Sequence, residues 1–246
     1  MSRDYELIQA VKENDTAGAL TLMSHSFDPM IRDNEKDETL MIMAARHLNL
    51  TLMYKLYDAA KAKGVEELLI KSRTLTGMTP LMIAARGKTS SFEQAEEEMK
   101  GTVHADKTIE DGIFSDAYIQ NVVHVMNIHM ENLRASAACA HFLLQAGADI
   151  SAQDINGDTP LHHAARAGNV YRDQNGILQG ALPVLLSHPT VDFFKTNKEG
   201  ETPFYTALHE RNCLALHVIG KAMKQGRQNI VQQAYTLLKN AERTRE

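Results

Sequence analysis

Apolar positions in this chain come in short blocks set off by polar turns, and one such block recurs. In "GDTPLHHAARAGN", residues 157–169, the turn pair Asn156-Gly157 leads into Thr159, then six residues without a formal charge, then Arg166 and Gly168. Each place has a physical reason. Thr159 can cap a helix, Pro160 suits its first position where the missing N–H costs nothing, and Gly168 can take the left-handed conformation that ends it. Ala164 and Ala165 let a neighbouring helix approach closely. The same block returns in "DETLMIMAARH" at Thr39, in "GMTPLMIAARG" at Thr79 and Pro80, and in "GETPFYTALHERN" at Thr202 and Pro203. The pattern predicts four short, similarly capped helices.

These blocks resemble the ankyrin repeat, a helix-turn-helix unit with a TPLHxA signature recurring at about 33 residues. "CAHFLLQAGADISAQDINGDTPLHHAARAGN" matches it almost end to end. Leu143 and Leu144 fall on a second helix, Gly147 ends it, and residues 154–158 fall in the hairpin loop. "YELIQAVKENDTAGALTLM" fits the frame without the TPL residues, as expected of a terminal repeat with one face in water. It makes an N-terminal capping repeat of about 3–37. "CLALHVIGKAM" resembles a last second helix. "NIVQQAYTLLKNAER" supplies a C-terminal capping helix at about 228–243, with an apolar stripe at Ile230, Val231, Ala234, Leu237 and Leu238. The resemblance implies an all-α ankyrin-repeat solenoid of five or six helix-turn-helix repeats with a helical insertion, one domain over 1–246.

The register is irregular. Thr39 to Thr79 spans 40 residues, Thr79 to Thr159 spans 80, and Thr159 to Thr202 spans 43. The last excess falls in "NVYRDQNGILQG", residues 169–180, read as an exposed loop. The 80-residue gap admits two readings. A degenerate repeat beginning at Met126 puts "NIHMENL" in the first-helix slot. Alternatively, Ala135 to Ala146 is the second helix of the repeat begun at Thr79, and residues 88–134 are one insertion. Both leave 87–116 as a polar excursion, with a capped helix over Ser91 to Lys100 whose Glu93, Glu96, Glu97 and Glu98 form a solvated face. Residues 116–145 contain no Gly or Pro and favour one or two long helices.

A chain of 246 residues with 43% hydrophobic content can bury a sizeable core. Its formal charge of −5 gives no net positive field for phosphate backbones, so nucleic acid is not an expected partner. Arg3, Asp4 and Glu6 stand where a signal peptide needs its apolar stretch, and no apolar run reaches membrane-spanning length. The expected location is cytoplasmic. Large irregular insertions and many methionines also resemble bacterial ankyrin effectors, for which the compartment is the host cytoplasm. Cys139 and Cys213, far apart and outside any CxxC, read as two buried, reduced thiols. His124 and His129 are five apart, about 140 degrees around a helix, so they do not share a face for a metal. No phosphate loop, GxSxG elbow or Cys-His nucleophile pattern is visible. Neither an enzyme nor a cofactor is expected, and the protein reads as a monomer.

The resemblance implies binding of another protein through the concave surface built by hairpin tips and first helices. In the family, the histidine at the place of His162 holds the turn, whereas the next position often faces a partner. Arg46, Arg86 and Arg166 each follow an Ala-Ala pair, giving a ladder that is either generic structure or an acidic partner's docking strip. The contact candidates are Met43, Arg46 and His47; Ile83 and Arg86; Ile155, Asp158, His163 and Arg166; and Lys198, Glu201, Thr206, His209 and Glu210. Two other readings place the function in the insertion, as a catalytic element or a partner-specific clamp, or treat the array as a spacer or self-association unit. Limited proteolysis of the ligand-free protein separates the first two: a clamp is cut first within 87–116, whereas a packed catalytic element resists there.

Overall fold

The computed structural model describes residues 3–88 and 116–226. In chain order its helices are α1 (Arg3–Lys12), α2 (Thr16–Met23), α3 (Leu40–Arg46), α4 (Leu50–Ala62), α5 (Glu66–Ile70), α6 (Pro80–Arg86), α7 (Asp116–Gln145), α8 (Pro160–Arg166), α9 (Ala181–Leu186) and α10 (Pro203–His209), and residues 213–226 are also helical. Helices α3, α6, α8 and α10 start directly after Thr39, Thr79, Thr159 and Thr202. Each threonine hydroxyl accepts from the backbone N–H three residues on, at Ile42, Met82, His162 and Tyr205. The repeated block therefore works as the turn chemistry predicts.

Seven residues are too few for a helix to be stable alone, so these helices depend on packing. In α3, α6 and α8 the first six residues are all buried and only the final arginine emerges. A helix that is apolar all round is buried all round. Helix α3 packs on α6, α6 on α8, and α8 on α10, with α4, the C-terminal part of α7 and α9 forming the second layer. Although Thr79 and Thr159 are 80 residues apart, their helices are immediate neighbours. The hairpin turns follow suit. The Ile155 N–H donates to the Thr76 carbonyl at 3.1 Å, and the Lys198 N–H to the Asn156 carbonyl at 2.9 Å. Side chains run alongside, Arg73 to the Gln153 carbonyl at 2.8 Å and Gln153 to the Thr196 carbonyl at 3.1 Å.

The excess residues go to identifiable places. Those between Thr39 and Thr79 include the one-turn helix α5. Residues 169–180 hold a two-stranded antiparallel ribbon, β1 (Tyr171–Arg172) with β2 (Leu178–Gln179), so the described chain is not purely helical. The Asp173 carboxylate turns this ribbon by accepting from the N–H groups of Asn175 and Ile177. Helix α7 runs unbroken for 30 residues, about 45 Å at 1.5 Å per residue. Met126 is exposed in its middle, where a repeat start would need a capped turn. Its C-terminal part buries Ser136, Cys139, Ala140, Phe142 and Leu143 in the stack. The sequence-predicted helices at Ser91–Lys100 and about 228–243 lie outside the described residues.

Three asparagines, each ten residues beyond a cap threonine, tie neighbouring units together. Buried Asn169 donates to the Ala85 carbonyl at 2.9 Å and to Ser136 Oγ at 2.6 Å, and accepts from the Ala181 N–H at 3.1 Å. Asn212 donates to the carbonyls of Ala165 and Arg166. Asn49 reaches Asn14 and Thr16. The first two satisfy orphan carbonyls at the ends of first helices. Gly180 allows the approach to Asn169: its φ is +108°, and a Cβ there would lie 2.4 Å from the Asn169 carbonyl oxygen. Cys139 is buried, its thiol pushed up to about 12 by burial. Cys213, by contrast, is exposed, because helix 213–226 turns Ala215, Val218 and Ile219 inward and its first residue outward.

Asn169→Ala should lower stability by about 2–3 kcal/mol, because Ala85 and Ala181 are left with buried polar groups unpaired. Asn49→Ala, which removes the α4 cap at a more exposed place, should lose about 1 kcal/mol. Urea unfolding of both variants checks the ranking.

Candidate functional site

The ends of the first helices carry a repeated charge pair. The residue before the cap threonine faces the residue that closes the helix, eight positions on. Arg46 Nε donates to Glu38 Oε2 at 3.0 Å, with a second guanidinium nitrogen on Oε1. Arg166 Nη1 donates to Asp158 Oδ2 at 2.6 Å. His209 Nδ1 lies 3.2 Å from Glu201 Oε1. In the remaining unit the pair is Met78 and Arg86, and among the described residues no carboxylate pairs with Arg86. Burial would raise the Asp158 carboxyl, but the Arg166 guanidinium and the Asn197 amide outweigh it and hold the group below the usual carboxylate range.

The two adjacent histidines of the recurring block both point inward. His162 Nδ1 accepts from the Thr159 N–H at 3.2 Å, which puts the ring proton on Nε2, 3.0 Å from the Glu201 carbonyl of the next unit. The ring thus joins a cap to its neighbour as a neutral group, and burial lowers its pKa. His163 Nε2 lies 3.0 Å from Asp154 Oδ2, and burial lowers its pKa against the pull of Asp154 and Asp158. Asp154, Asp158 and His163 offer ligand atoms within 4.8 Å of one another. Those atoms already have protein partners: Asp154 Oδ1 accepts from the N–H groups of Asn156 and Asp158, and Asp158 binds Arg166 and Asn197. The trio is a network that locks the hairpin to its helix.

A family model described as "Ankyrin repeats (many copies)" matches residues 133–171. Ankyrin repeats are therefore present in this chain over those residues. It is similar to the Homo sapiens "Neurogenic locus notch homolog protein 2", 29% identical over 201 residues that cover 80% of this chain and 7% of that protein. It is also similar to the Homo sapiens "Ankyrin repeat domain-containing protein 53", 47% identical over 49 residues, 20% of this chain and 9% of that one. Mus musculus "Rabankyrin-5" is 33% identical over 79 residues, 32% of this chain and 6% of that protein. The chain thus spans less than a tenth of the length of each of these relatives.

Placement of the contact candidates in the ankyrin array divides them. Arg46, Arg86, Ile155, Lys198, His209 and Glu210 are exposed, and His47, Arg166 and Glu201 are half-buried. Met43, Ile83, Asp158, His163 and Thr206 are buried and offer no contact area. For Met43, Ile83, His163 and Thr206 the cause is that a first helix held between two neighbours and a second layer has little outward face, whereas Asp158 is buried beneath its bonds to Arg166 and Asn197. One surface residue was missed, Leu75, the counterpart of the candidate Ile155. Leu75 is 75% exposed at a hairpin tip, and Ile155, at 53%, occupies the same place four residues before its cap threonine in the adjoining tip. Counting back from each threonine finds both. Among the described residues no helix is long and apolar enough to cross a membrane.

A histidine kept neutral by burial contributes stability that is full above its unfolded value near 6.5 and is lost as pH falls below it, because the unfolded chain then binds more protons. His162→Gln retains a donor for the Glu201 carbonyl but cannot titrate. Urea unfolding between pH 7.5 and 5 should show a shallower loss in the variant, by at most about 1.4 kcal/mol per pH unit.

Proposed function

We propose that this ankyrin array binds a partner protein along the row of hairpin tips and the exposed ends of the first helices. The carrying observation is the pair Leu75 and Ile155, two large apolar side chains held out to solvent on adjacent tips joined by the Ile155 N–H to Thr76 bond. Glu35 and Lys198 occupy the corresponding place in the outer tips, so the row has an apolar centre between an acidic and a basic end. Clustered apolar anchors with a polar rim are the usual make-up of an interface centre. Arg46, His47, Arg86, Arg166, Glu201, His209 and Glu210 line the adjoining helix ends. The buried candidates support this surface from beneath.

We read the array as five helix pairs, with residues 88–134 an insertion into the third, the unit begun at Thr79. The free thiols Cys139 and Cys213 fit a reducing compartment, the cytoplasm, or a host cytoplasm for a delivered protein. The role is recognition by a monomer without catalysis.

Leu75→Ser with Ile155→Ser changes only exposed positions and should leave unfolding unaltered. Proteins captured from lysate by the unmodified chain should be lost by this variant, with affinity for any one of them falling tenfold or more, as expected for two apolar anchors at about 1–2 kcal/mol each. Equal capture by both overturns the tip assignment.

A further inference from the structure

Among the described residues, the helix-end pairs leave Arg86 without a carboxylate. Arg166 is neutralised twice, by Asp158 from its own unit at 2.6 Å and by Glu210 from the next at 3.7 Å. For Arg86 the first of these places is Met78 and the second is Ala167. Both substitutions remove a carboxylate, and among the described residues no salt bridge is made to Arg86.

Arg86 opens onto a cleft of about 380 Å³, lined also by Lys88, His129, Asn132, Leu133 and the turn of Ala167, Gly168 and Asn169. The cleft exists because α7 is longer than a second helix needs to be. Residues 129–133 stand beside the end of α6, while the residues after Ser136 fill the stack. Its lining combines three small residues, Gly87, Ala167 and Gly168, with the Arg86 guanidinium. Helix C-termini ordinarily repel anions. Here the Ala85, Ala165 and Arg166 carbonyls are covered by the amide donors of Asn169 and Asn212, which removes that opposition.

We propose that this cleft binds an oxyanion, a carboxylate or a phosphate group, with Arg86 as the principal ligand. A guanidinium fork matches both groups in two-point geometry. The cleft's volume admits a compact anion or one acidic or phosphorylated side chain, sources that the test separates. Arg86 closes α6 at the end opposite the hairpin tips, about 10 Å away along a seven-residue helix. The Leu75→Ser and Ile155→Ser variant therefore keeps this site, and failure of one assignment leaves the other standing.

NMR of the ¹⁵N-labelled full chain follows the Arg86 Nε–H signal and the amides of 129–133 and 167–169. Sodium phosphate is added at constant ionic strength, and in separate arms short peptides carrying one phosphoserine or one glutamate. Saturable shifts confined to these groups are expected, weakened tenfold or more in Arg86→Gln. Met78→Glu, which installs the carboxylate that Glu38 and Asp158 supply elsewhere, should weaken binding similarly with Arg86 still present. Tighter binding of a peptide than of phosphate assigns the anion to a partner's side chain, and equal affinity assigns it to a free small anion. Shifts that do not saturate, or that survive either substitution unchanged, overturn the proposal.

Discussion

A seven-residue helix that buries six of its residues exists only between neighbours, and the rest of this molecule follows from that condition. Helices α3, α6 and α8 each meet it. Burying one Leu, Ile or Met is worth about 1.5–3 kcal/mol, whereas an exposed ion pair contributes up to about 1 kcal/mol, so apolar stacking sets the stability of the array. The threonine caps and the asparagine amides then decide where each helix begins and where the next one docks.

Because the apolar positions are committed to stacking, variety between units is confined to a few polar places. The charge pairs across α3 and α8, the His162 bridge to the next unit and the Asp154 network all stiffen the frame. Individuality appears where a unit departs from that scheme. Leu75 and Ile155 put apolar bulk on turns that are polar elsewhere, and Met78 leaves a charge without its usual counterpart.

The features legible in the sequence are those that local chemistry dictates. Thr159-Pro160 and its counterparts announce the caps, and His162 takes its place in the turn within three residues of Thr159. Burial of Met43, Ile83 and His163 was not legible, because it depends on neighbouring helices contributed from 40 residues away for Met43 and 80 for Ile83 and His163. The continuity of α7 was half legible. Absence of Gly and Pro in 116–145 favours helix but leaves one helix or two open, and the continuity through Met126 depends on packing that no local signal encodes. The β1–β2 ribbon and the outward Cys213 depend likewise on what the neighbouring segments cover.

The bond from Ile155 to Thr76 joins segments that in an uninterrupted array would be one short period apart. Closing a loop of 80 residues instead of about 33 costs only about 0.8 kcal/mol more in chain entropy, so the seam is tolerable at equilibrium. Its effect falls on time. Both α8 and the C-terminal part of α7 must find α6 across the intervening chain, and non-local pairing is slow. A contact order raised at this one junction is the expected cost, in time rather than in stability, of placing so much chain between two adjacent first helices.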